Sequence, residues 1–294
     1  MQRYLQLAIF ITTFAVNAQD ILVSPQWLNE RQNDEDVVIL QVNRMKLDFD
    51  SEHIPGAQML WYGWLAPNTP EGNMNAIDVK TGEQVLRSLG INNDSQVVLC
   101  FYKDDATVTA RMFLMLEYLG LKGNVRWLDG GLEGWKSAGY PISRETITRK
   151  KGKFKANPQP IIVDRFYVKD KLESPTTSIV DARFKIYYDG EPVGYPRNGH
   201  IKGAKNIPYN EMLAEGNVFK SGEELSAYFN PVSTNKENEI VMYCFIGQTA
   251  SMVYLAGRIL GYPMKLYDGS MEEWSRIPEL PVETTPTTEG EVKN

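Results

Sequence analysis

Short, mostly apolar runs alternate with segments of helical apolar spacing along most of the chain. Such runs are typical of strands that are buried on both faces of a parallel sheet. Helical segments follow them, and no hairpin signal joins one run to the next. The pattern therefore predicts an α/β fold with parallel strands and helical crossovers. The predicted strands are Val37–Val42, Gln96–Phe101, Val125–Gly131 with its glycine turn, Ser178–Arg183, Ile240–Tyr243 and, by its match to Arg126–Gly131, Lys265–Ser270.

The order of elements occurs twice, and the two copies share short motifs. A His-Ile-x-Gly-Ala segment comes early in each copy, and Asp-Gly comes late, followed by a tryptophan six residues after the aspartate. Self-similarity over ~140 residues is far longer than the repeat unit of a solenoid, so it predicts two copies of one domain. The matched residues are His53 and His200, Asp129 and Asp268, and Trp135 and Trp274.

The ends of the chain and its middle differ in composition from the two copies. Arg3, an apolar run over residues 5–16 and small residues up to Ala18 resemble a secretory signal. We therefore expect export, with a periplasmic or secreted mature chain that has no membrane span, because this run is shorter than the ~20 residues that a spanning helix needs. The predicted segments are a signal peptide at 1–18, domain 1 at 30–145, a linker and lead-in at 146–172, domain 2 at 173–283 and a disordered tail at 284–294.

Charge and the scarcity of metal-binding residues exclude several function classes. The net charge is −6, which argues against a nucleic acid as the partner. Only two cysteines and two histidines occur, so we expect neither a disulfide framework nor a metal site, and no cofactor. A bond between Cys100 and Cys244 is not expected, because Cys100 lies inside an apolar strand.

Cys244 stands where a predicted strand ends and a helix soon begins. Side chains at the carboxyl ends of parallel strands point into the crevice where open α/β sheets bind ligands. The unpaired N–H groups of the coming helix favour an anion, and Gly247 lets the loop curl so that more N–H groups point inward. The context favours a reactive thiolate over the alternative, a small buried apolar residue.

Alignment of the two copies places Phe101, not Cys100, opposite Cys244. The loop after Phe101 is also longer and carries Asp104 and Asp105, which would repel an anion. We therefore predict that the first copy has no nucleophile, and that it is structural or forms one wall of the cleft.

These motifs together resemble the tandem-domain rhodanese-like sulfurtransferases. The likeness covers most of residues 30–283, and the Cys-x-x-Gly-x-Thr-Ala motif occurs in the second copy only. It implies two rhodanese folds, each a small parallel sheet flanked by helices, with an inactive first domain. It also implies that Cys244 takes a sulfane sulfur from a donor such as thiosulfate or 3-mercaptopyruvate and passes it to cyanide or a thiol, a protein thiol included. The implied active-site loop is Phe245, Ile246, Gly247, Gln248 and Thr249.

An anionic donor calls for a cation facing Cys244, and two arginines are candidates. Arg183 ends a strand on the same rim, and Arg197 precedes the second histidine motif. Arg183 could instead be a structural partner of Asp181, and Arg197 an ordinary surface residue. The sequence departs from the family at Tyr187, where well-studied members have another arginine, and at Ile246, where they have lysine or serine. The donor therefore stays open, and the apolar loop suggests the hypothesis of a bulkier or less charged donor, or of a protein persulfide.

Two other functions compete with sulfur transfer. A cysteine phosphatase needs an arginine six residues after the nucleophile, and that position is Ala250, so we set this function aside. A persulfide carrier or a sulfide or redox sensor that uses Cys244 without turnover stays an alternative, and the oligomeric state is open. The residues shared by both copies are expected to be structural: loop anchors for the histidines, turn formers for the aspartates and core for the tryptophans.

Overall fold

A computed structural model describes residues 21–285. Two α/β domains follow one another, and each is built on a five-stranded sheet in which all neighbouring strands are parallel. The predicted architecture, two α/β domains with small parallel sheets flanked by helices, is confirmed. The part of the chain that the structure describes contains no helix that is long and apolar enough to cross a membrane.

The first domain has the strand order β1-β5-β4-β2-β3. Its central strands β2 and β4 are made almost wholly of buried residues, as their unbroken apolar runs require. Its elements are β1 (Leu22–Val23), α1 (Pro25–Arg31), β2 (Val37–Asn43), α2 (Lys46–Ser51), β3 (Gln58–Trp61), α3 (Val79–Ser88), β4 (Gln96–Phe101), α4 (Ala106–Leu116), β5 (Val125–Leu128) and α5 (Gly131–Ser137).

The second domain repeats that order as β6-β11-β10-β7-β9 and adds a short antiparallel pair, β8 with β12. Its elements are β6 (Ile162–Val163), α6 (Arg165–Lys171), β7 (Thr177–Asp181), α7 (Lys185–Asp189), β8 (His200–Ile201), β9 (Lys205–Asn206), α8 (Gly222–Phe229), β10 (Glu239–Tyr243), α9 (Ala250–Ile259), β11 (Met264–Tyr267), α10 (Ser270–Trp274) and β12 (Val282–Glu283).

Strand register confirms the alignment of the two copies. Cys100 pairs with Gln41 in domain 1, and Tyr243 pairs with Asp181 in domain 2. The next residue is Phe101 in one copy and Cys244 in the other, so the position of the nucleophile holds a phenylalanine in the first domain. The Phe101 ring is buried against Trp127, with ring centroids 5.2 Å apart.

The predicted domain limits need correction at their amino-terminal ends. Strand β1 and helix α1 begin before residue 30 yet belong to the first sheet, through pairing of Leu22 with Trp127. Strand β6 and helix α6 were assigned to the linker and lead-in, but β6 pairs with β11 in the second sheet. Two-residue edge strands are too short to give a periodic signal, which is why the sequence pattern missed them.

The segment that joins the domains is extended, as predicted, but it is packed against domain 1. Phe154 is fully buried in the core. Its N–H donates to the Ile91 carbonyl at 3.1 Å, and its carbonyl accepts from Arg87 Nε at 2.6 Å. The lysines of this segment, Lys150, Lys151, Lys153 and Lys155, are exposed. The segment is therefore an extended linker that packs on domain 1 through Phe154 and exposes its lysines to solvent.

The two domains pack through α4 and α9, and one hydrophobic core runs across both. A buried carboxylate lies at this contact. Glu117 accepts from Tyr254 Oη at 2.7 Å, and from Arg258 Nε and Nη2 at 3.0 and 2.9 Å. Three donors offset the cost of burying this charge, which fixes the two helices against each other.

The aspartates of the repeat link the domains, a role beyond the predicted turn formers. Asp129 of domain 1 accepts from the Phe219 N–H of domain 2 at 2.9 Å. Asp268 of domain 2 accepts from the Ala76 N–H of domain 1, also at 2.9 Å. Burial raises the pKa of Asp129. The interface thus follows an approximate twofold relation between the two copies.

The matched histidines and tryptophans have the predicted structural roles. His53 and His200 are buried, and their Nδ1 atoms lie 2.8 and 2.7 Å from the carbonyls of Phe49 and Tyr188. Each imidazole also stacks on the ring of that same residue, at 4.1 and 3.7 Å. Trp135 and Trp274 are fully buried, and each indole N–H donates to a proline carbonyl.

Two predictions concern the ends of the chain. The signal peptide lies outside the described residues, so export stays a prediction. Of the tail predicted to be disordered, Thr284 and Thr285 are placed, and the Thr285 hydroxyl donates to Asp189 at 2.6 Å. The remainder of the tail lies outside the described residues.

Candidate active site

Cys244 is the first residue after β10, at the carboxyl edge of the second sheet. Helix α9 begins six residues later at Ala250. The cysteine is 1% exposed, so the thiol lies at the base of the site and not on its surface. The strand–loop–helix placement that the sequence predicts is confirmed.

Hydrogen bonds from α10 hold the start of the loop. The Cys244 N–H donates to Ser270 Oγ at 3.2 Å, and the Cys244 carbonyl accepts from the Met271 N–H at 3.1 Å. Gly247 has φ +78°, the left-handed region that the sequence analysis required of it. Thr249 occupies the N-cap position of α9 but makes no side-chain cap. Instead the Ser251 hydroxyl donates back to the Gly247 carbonyl at 2.9 Å.

The loop leaves a row of backbone donors without partners. Within residues 21–285, the N–H groups of residues 245–248 make no hydrogen bond to the protein. They follow Cys244 directly and precede the N-terminus of α9. Successive unpaired amides that follow a sulfur in the chain favour an anion, whether the anion is a thiolate, a persulfide or an oxyanion leaving group.

Domain 1 supports this loop through one face of α4. Thr107 and Arg111 are four residues apart and therefore lie on the same side of the helix. Thr107 Oγ1 accepts from Gln248 Nε2 at 2.9 Å. A Cβ atom added to Gly247 would lie 3.4 Å from Arg111 Nη1, which places the guanidinium directly behind the loop. Domain 1 thus forms one wall of the site, one of the two roles predicted for it.

Arg111 is the functional residue that the sequence analysis missed. It is fully buried, and its Nη2 donates to the Met74 carbonyl at 2.7 Å and to Asp268 of domain 2. Its Nε and Nη1 atoms have no hydrogen-bond partner in the described chain. The available signal was a lone arginine in an apolar helix, at the position matched by Ser251 in the other copy.

Arg183 lies beside the loop but is already engaged. Its Nε and Nη2 atoms bond to both oxygens of Asp181 at 2.5–3.0 Å, and Nη2 also donates to the Gly199 carbonyl. The Phe245 ring lies 5.0 Å from its Cζ atom, so the cation is enclosed. Of the two alternatives, the geometry supports the structural partner of Asp181, because that carboxylate holds both Nε and Nη2 and the residue is only 2% exposed.

Arg197 is neither a substrate clamp nor an ordinary surface arginine in this structure. All its guanidinium bonds go to backbone carbonyls at and beyond the end of α10, where helix carbonyls lack partners. The accepting residues are Trp274, Ser275, Ile277, Pro278 and Leu280, at 2.6–3.4 Å. The side chain therefore anchors the segment that follows α10.

Replacing Arg197 with alanine is expected to lower stability without a selective effect on donor binding. Several carbonyls lose a charged donor at once, so we expect a loss of about 3 kcal/mol in the free energy of unfolding. Urea unfolding followed by tryptophan fluorescence measures this loss. A variant of unchanged stability whose KM for a sulfur donor rises more than tenfold would restore Arg197 as a clamp.

Phe245 and Ile246 make the mouth of the loop apolar. Ile246 packs against the main hydrophobic core. Phe245 is half-buried, with its ring 5.3 Å from Tyr187, the residue at the position of the family's second arginine. Beside the loop, a cleft of about 260 Å³ opens between the domains, lined by Thr107 and Tyr209 among others.

The second cysteine lacks the environment of the first. Cys100 is fully buried in β4, and burial strongly raises the pKa of its thiol. Both cysteines are free, in line with the expectation that they do not pair. In residues 21–285 no cluster of three or more histidine, cysteine, aspartate or glutamate side chains is arranged to hold a metal ion.

Comparison with known proteins identifies the family. The model of the rhodanese-like domain matches residues 24–138 and 166–277. "Sulfur carrier protein TtuD" of Thermus thermophilus is 33% identical over 279 residues, which cover 90% of this chain and 96% of the relative. "3-mercaptopyruvate sulfurtransferase" of Escherichia coli K12 is 30% identical over 277 residues, with coverage of 89% and 97%.

A likeness to solved structures agrees with the fold. Wild-type EanB superposes with a TM-score of 0.81 over 92% of this chain and 70% of that chain, at 22% identity. Because the family model matches most of the chain, the protein belongs to the rhodanese-like family, with two domains in tandem.

Proposed function

We propose that the protein is a sulfurtransferase that carries a sulfane sulfur on Cys244 between a donor and a thiophilic acceptor. The observation that carries this proposal is the placement of Cys244 at the start of a loop whose next four N–H groups are unpaired. Such a site stabilises the negative charge that stays on sulfur throughout the transfer. The names of the relatives, which include thiosulfate and 3-mercaptopyruvate sulfurtransferases, support the same chemistry.

The first half-reaction loads the cysteine. The Cys244 thiolate attacks the outer sulfur of a donor such as thiosulfate, and an S–S bond forms as the donor's own S–S bond breaks. Sulfite leaves with the electron pair, and the outer sulfur stays on Cys244 as a persulfide anion. The unpaired amides at residues 245–248 face an anion before and after the step, so the loop need not rearrange.

The second half-reaction empties the cysteine. A nucleophile such as cyanide attacks the terminal sulfur of the persulfide, forms thiocyanate and returns the Cys244 thiolate. Donor and acceptor therefore use the same loop in turn, which predicts ping-pong kinetics. No external oxidant or reductant enters either step.

A persulfide carrier without rapid turnover is the second candidate. It is favoured by the relative named as a sulfur carrier protein, which matches this chain at 33% identity. The deep burial of Cys244 agrees with it as well, because a persulfide shielded from solvent is protected from loss. Both functions share the loading step and differ only in the acceptor.

Counting thiocyanate molecules formed per protein molecule separates the two functions. The protein is incubated with excess thiosulfate and excess cyanide. We expect many cycles per protein molecule, with parallel lines in double-reciprocal plots when both substrates are varied. A single equivalent of thiocyanate, released once and not repeated, would support the carrier and contradict turnover with these substrates.

A further inference from the structure

Five aromatic side chains meet around the Cys244 loop, and we name them the aromatic rim. The Phe245 ring lies 5.3 Å from Tyr187 and 5.5 Å from Tyr195, measured between ring centroids. The Phe184 ring lies 5.2 Å from Tyr209 and 6.3 Å from Tyr187. All these distances are within the range of direct ring contact. The aromatic rim is therefore a connected surface of Phe184, Tyr187, Tyr195, Tyr209 and Phe245.

The aromatic rim comes from separate segments that converge on one place. Phe184 and Tyr187 lie at the start of α7, Tyr209 follows β9, and Tyr195 lies in the long loop before β8. Phe184 is 40% exposed, and the other four rings are half-buried. Open ring faces gathered from distant parts of a chain are characteristic of a binding surface and not of a core.

The aromatic rim borders the nucleophile, because Phe245 follows Cys244 directly in the chain and its ring contacts two of the tyrosines. Burial raises the pKa of the Tyr209 phenol, and a negative charge on the Cys244 sulfur raises it further. Burial also raises the pKa of Tyr195, with Glu272 and then the charge on Cys244 adding to it. Because Cys244 itself is 1% exposed, a donor that reaches the sulfur has these rings as its neighbours.

The cations beside the aromatic rim are compensated. Arg183 is held by Asp181, and Lys185 bonds to Asp189 at 2.7 Å. Arg276 lies 3.7 Å from Glu272. Tyr187 stands where the family resemblance leads one to expect a further arginine. A small dianion would therefore lose its hydration at this mouth without gaining a free cation.

We infer that the aromatic rim makes the site selective for sulfur donors that carry an aromatic or apolar group next to the sulfane sulfur and a single negative charge, the chemistry of an organic thiosulfonate. Contacts between the donor and the rings, and not ion pairs with arginine, then supply the affinity for the donor. The inference rests on the proposed function, because it assigns a donor class to the same Cys244 site.

The chemical step is the same one with a different leaving group. The Cys244 thiolate attacks the outer sulfur of R–SO₂–S⁻, and the bond between that sulfur and the sulfonyl sulfur breaks. A sulfinate, R–SO₂⁻, leaves with the electron pair, and the persulfide anion remains on Cys244. Charge is conserved, because one thiolate and one thiosulfonate give one persulfide and one sulfinate.

Three donors separate the effects of charge and ring contact. Thiosulfate is a dianion, methanethiosulfonate a monoanion without a ring, and benzenethiosulfonate a monoanion with one. We expect kcat/KM with cyanide as acceptor to rise in that order, with benzenethiosulfonate ahead of thiosulfate by about tenfold or more, the size of one or two ring contacts. Equal values for all donors, or a preference for thiosulfate, would overturn the inference.

Variants of the aromatic rim test the cause of the preference. Phe245→Ala and Tyr187→Ala should each lower the ratio of benzenethiosulfonate to methanethiosulfonate by roughly threefold to tenfold. Tyr187→Arg should raise the kcat/KM for thiosulfate and narrow its gap to benzenethiosulfonate. Phe166→Ala, which removes a ring that is 65% exposed on α6, serves as the matched control and should change none of these values.

The outcomes also separate this inference from the function on which it rests. Donors that load sulfur onto Cys244 with no preference for the ring, or ratios that the aromatic-rim variants leave unchanged, contradict the inference and leave the sulfurtransferase intact. If none of the three donors loads Cys244, the proposed function fails and the inference fails with it.

Discussion

Serine in place of Cys244 is expected to reduce cyanide-dependent thiocyanate formation to the uncatalysed rate. A hydroxyl at the base of this loop is largely protonated at neutral pH and is a poor nucleophile towards sulfane sulfur. Loss of a covalent nucleophile typically costs at least about 10⁴-fold in turnover. The Cys244→Ser variant should keep its fold, since it changes one atom at a buried position, and unfolding curves measure this. Thiocyanate assays at matched protein concentration measure the loss.

Cys100→Ser is the matched control within the same chain. Cys100 is a fully buried free cysteine next to the position of domain 1 that corresponds to Cys244. It has no open loop after it, and burial raises the pKa of its thiol. We expect this variant to lose some stability and to retain turnover. Retained turnover in Cys244→Ser with lost turnover in Cys100→Ser would contradict the assignment of the nucleophile.

Methionine in place of Arg111 is expected to reduce both stability and turnover, although Arg111 belongs to domain 1 and Cys244 to domain 2. The substitution leaves the Asp268 carboxylate without its cation, and breaking a buried ion pair costs about 3–5 kcal/mol. We expect the lower end of this range, because the Asp268 side chain is 17% exposed and water can partly solvate its charge. Behind Gly247 the loop loses a rigid neighbour, so kcat should fall by roughly tenfold to a hundredfold.

A second substitution separates the positioning of the loop from the stability of the interface. Asn at position 268 removes the unpaired charge, so Arg111→Met/Asp268→Asn should recover part of the lost stability. If Arg111 positions the loop, kcat stays low in the double variant while unfolding curves improve. Full recovery of turnover together with stability would show that Arg111 acts only through the interface, and normal stability and kcat in the single variant would contradict both roles.

The fold and the nucleophile were predictable because their signals are local. The apolar runs of β4 and β10 and the motifs near His53 and His200 need no knowledge of contacts that are distant in sequence. The duplication added an internal comparison, because Phe101 and Cys244 could be aligned residue by residue. The register of the strands confirms that alignment.

The arginines could not be assigned in this way, because their roles depend on contacts between distant elements. Arg111 lies 157 residues from its partner Asp268, in the other domain. Arg197 was a candidate substrate clamp because it precedes the histidine motif of the second copy. In the structure its N–H groups donate to backbone carbonyls at and beyond the end of α10. Sequence shows that a charge is present, whereas only the packing shows whether its hydrogen bonds are free.

The two domains are related by an approximate twofold arrangement, but they contribute different residues to the site. Asp129 and Asp268 make equivalent bonds across the interface. The two copies differ at another matched position: α4 has Arg111 where α9 has Ser251. Domain 1 therefore lacks a nucleophile but supplies the buried cation behind the loop of domain 2.

The most direct test of sulfur transfer through Cys244 is the intact mass of the protein after incubation with a sulfane-sulfur donor and removal of the excess. We predict a gain of one sulfur atom in the wild type and in Cys100→Ser, its loss on addition of cyanide, and no gain in Cys244→Ser. A wild-type protein that gains no sulfur from thiosulfate, 3-mercaptopyruvate or benzenethiosulfonate, or a Cys244→Ser variant that still gains it, would contradict the account.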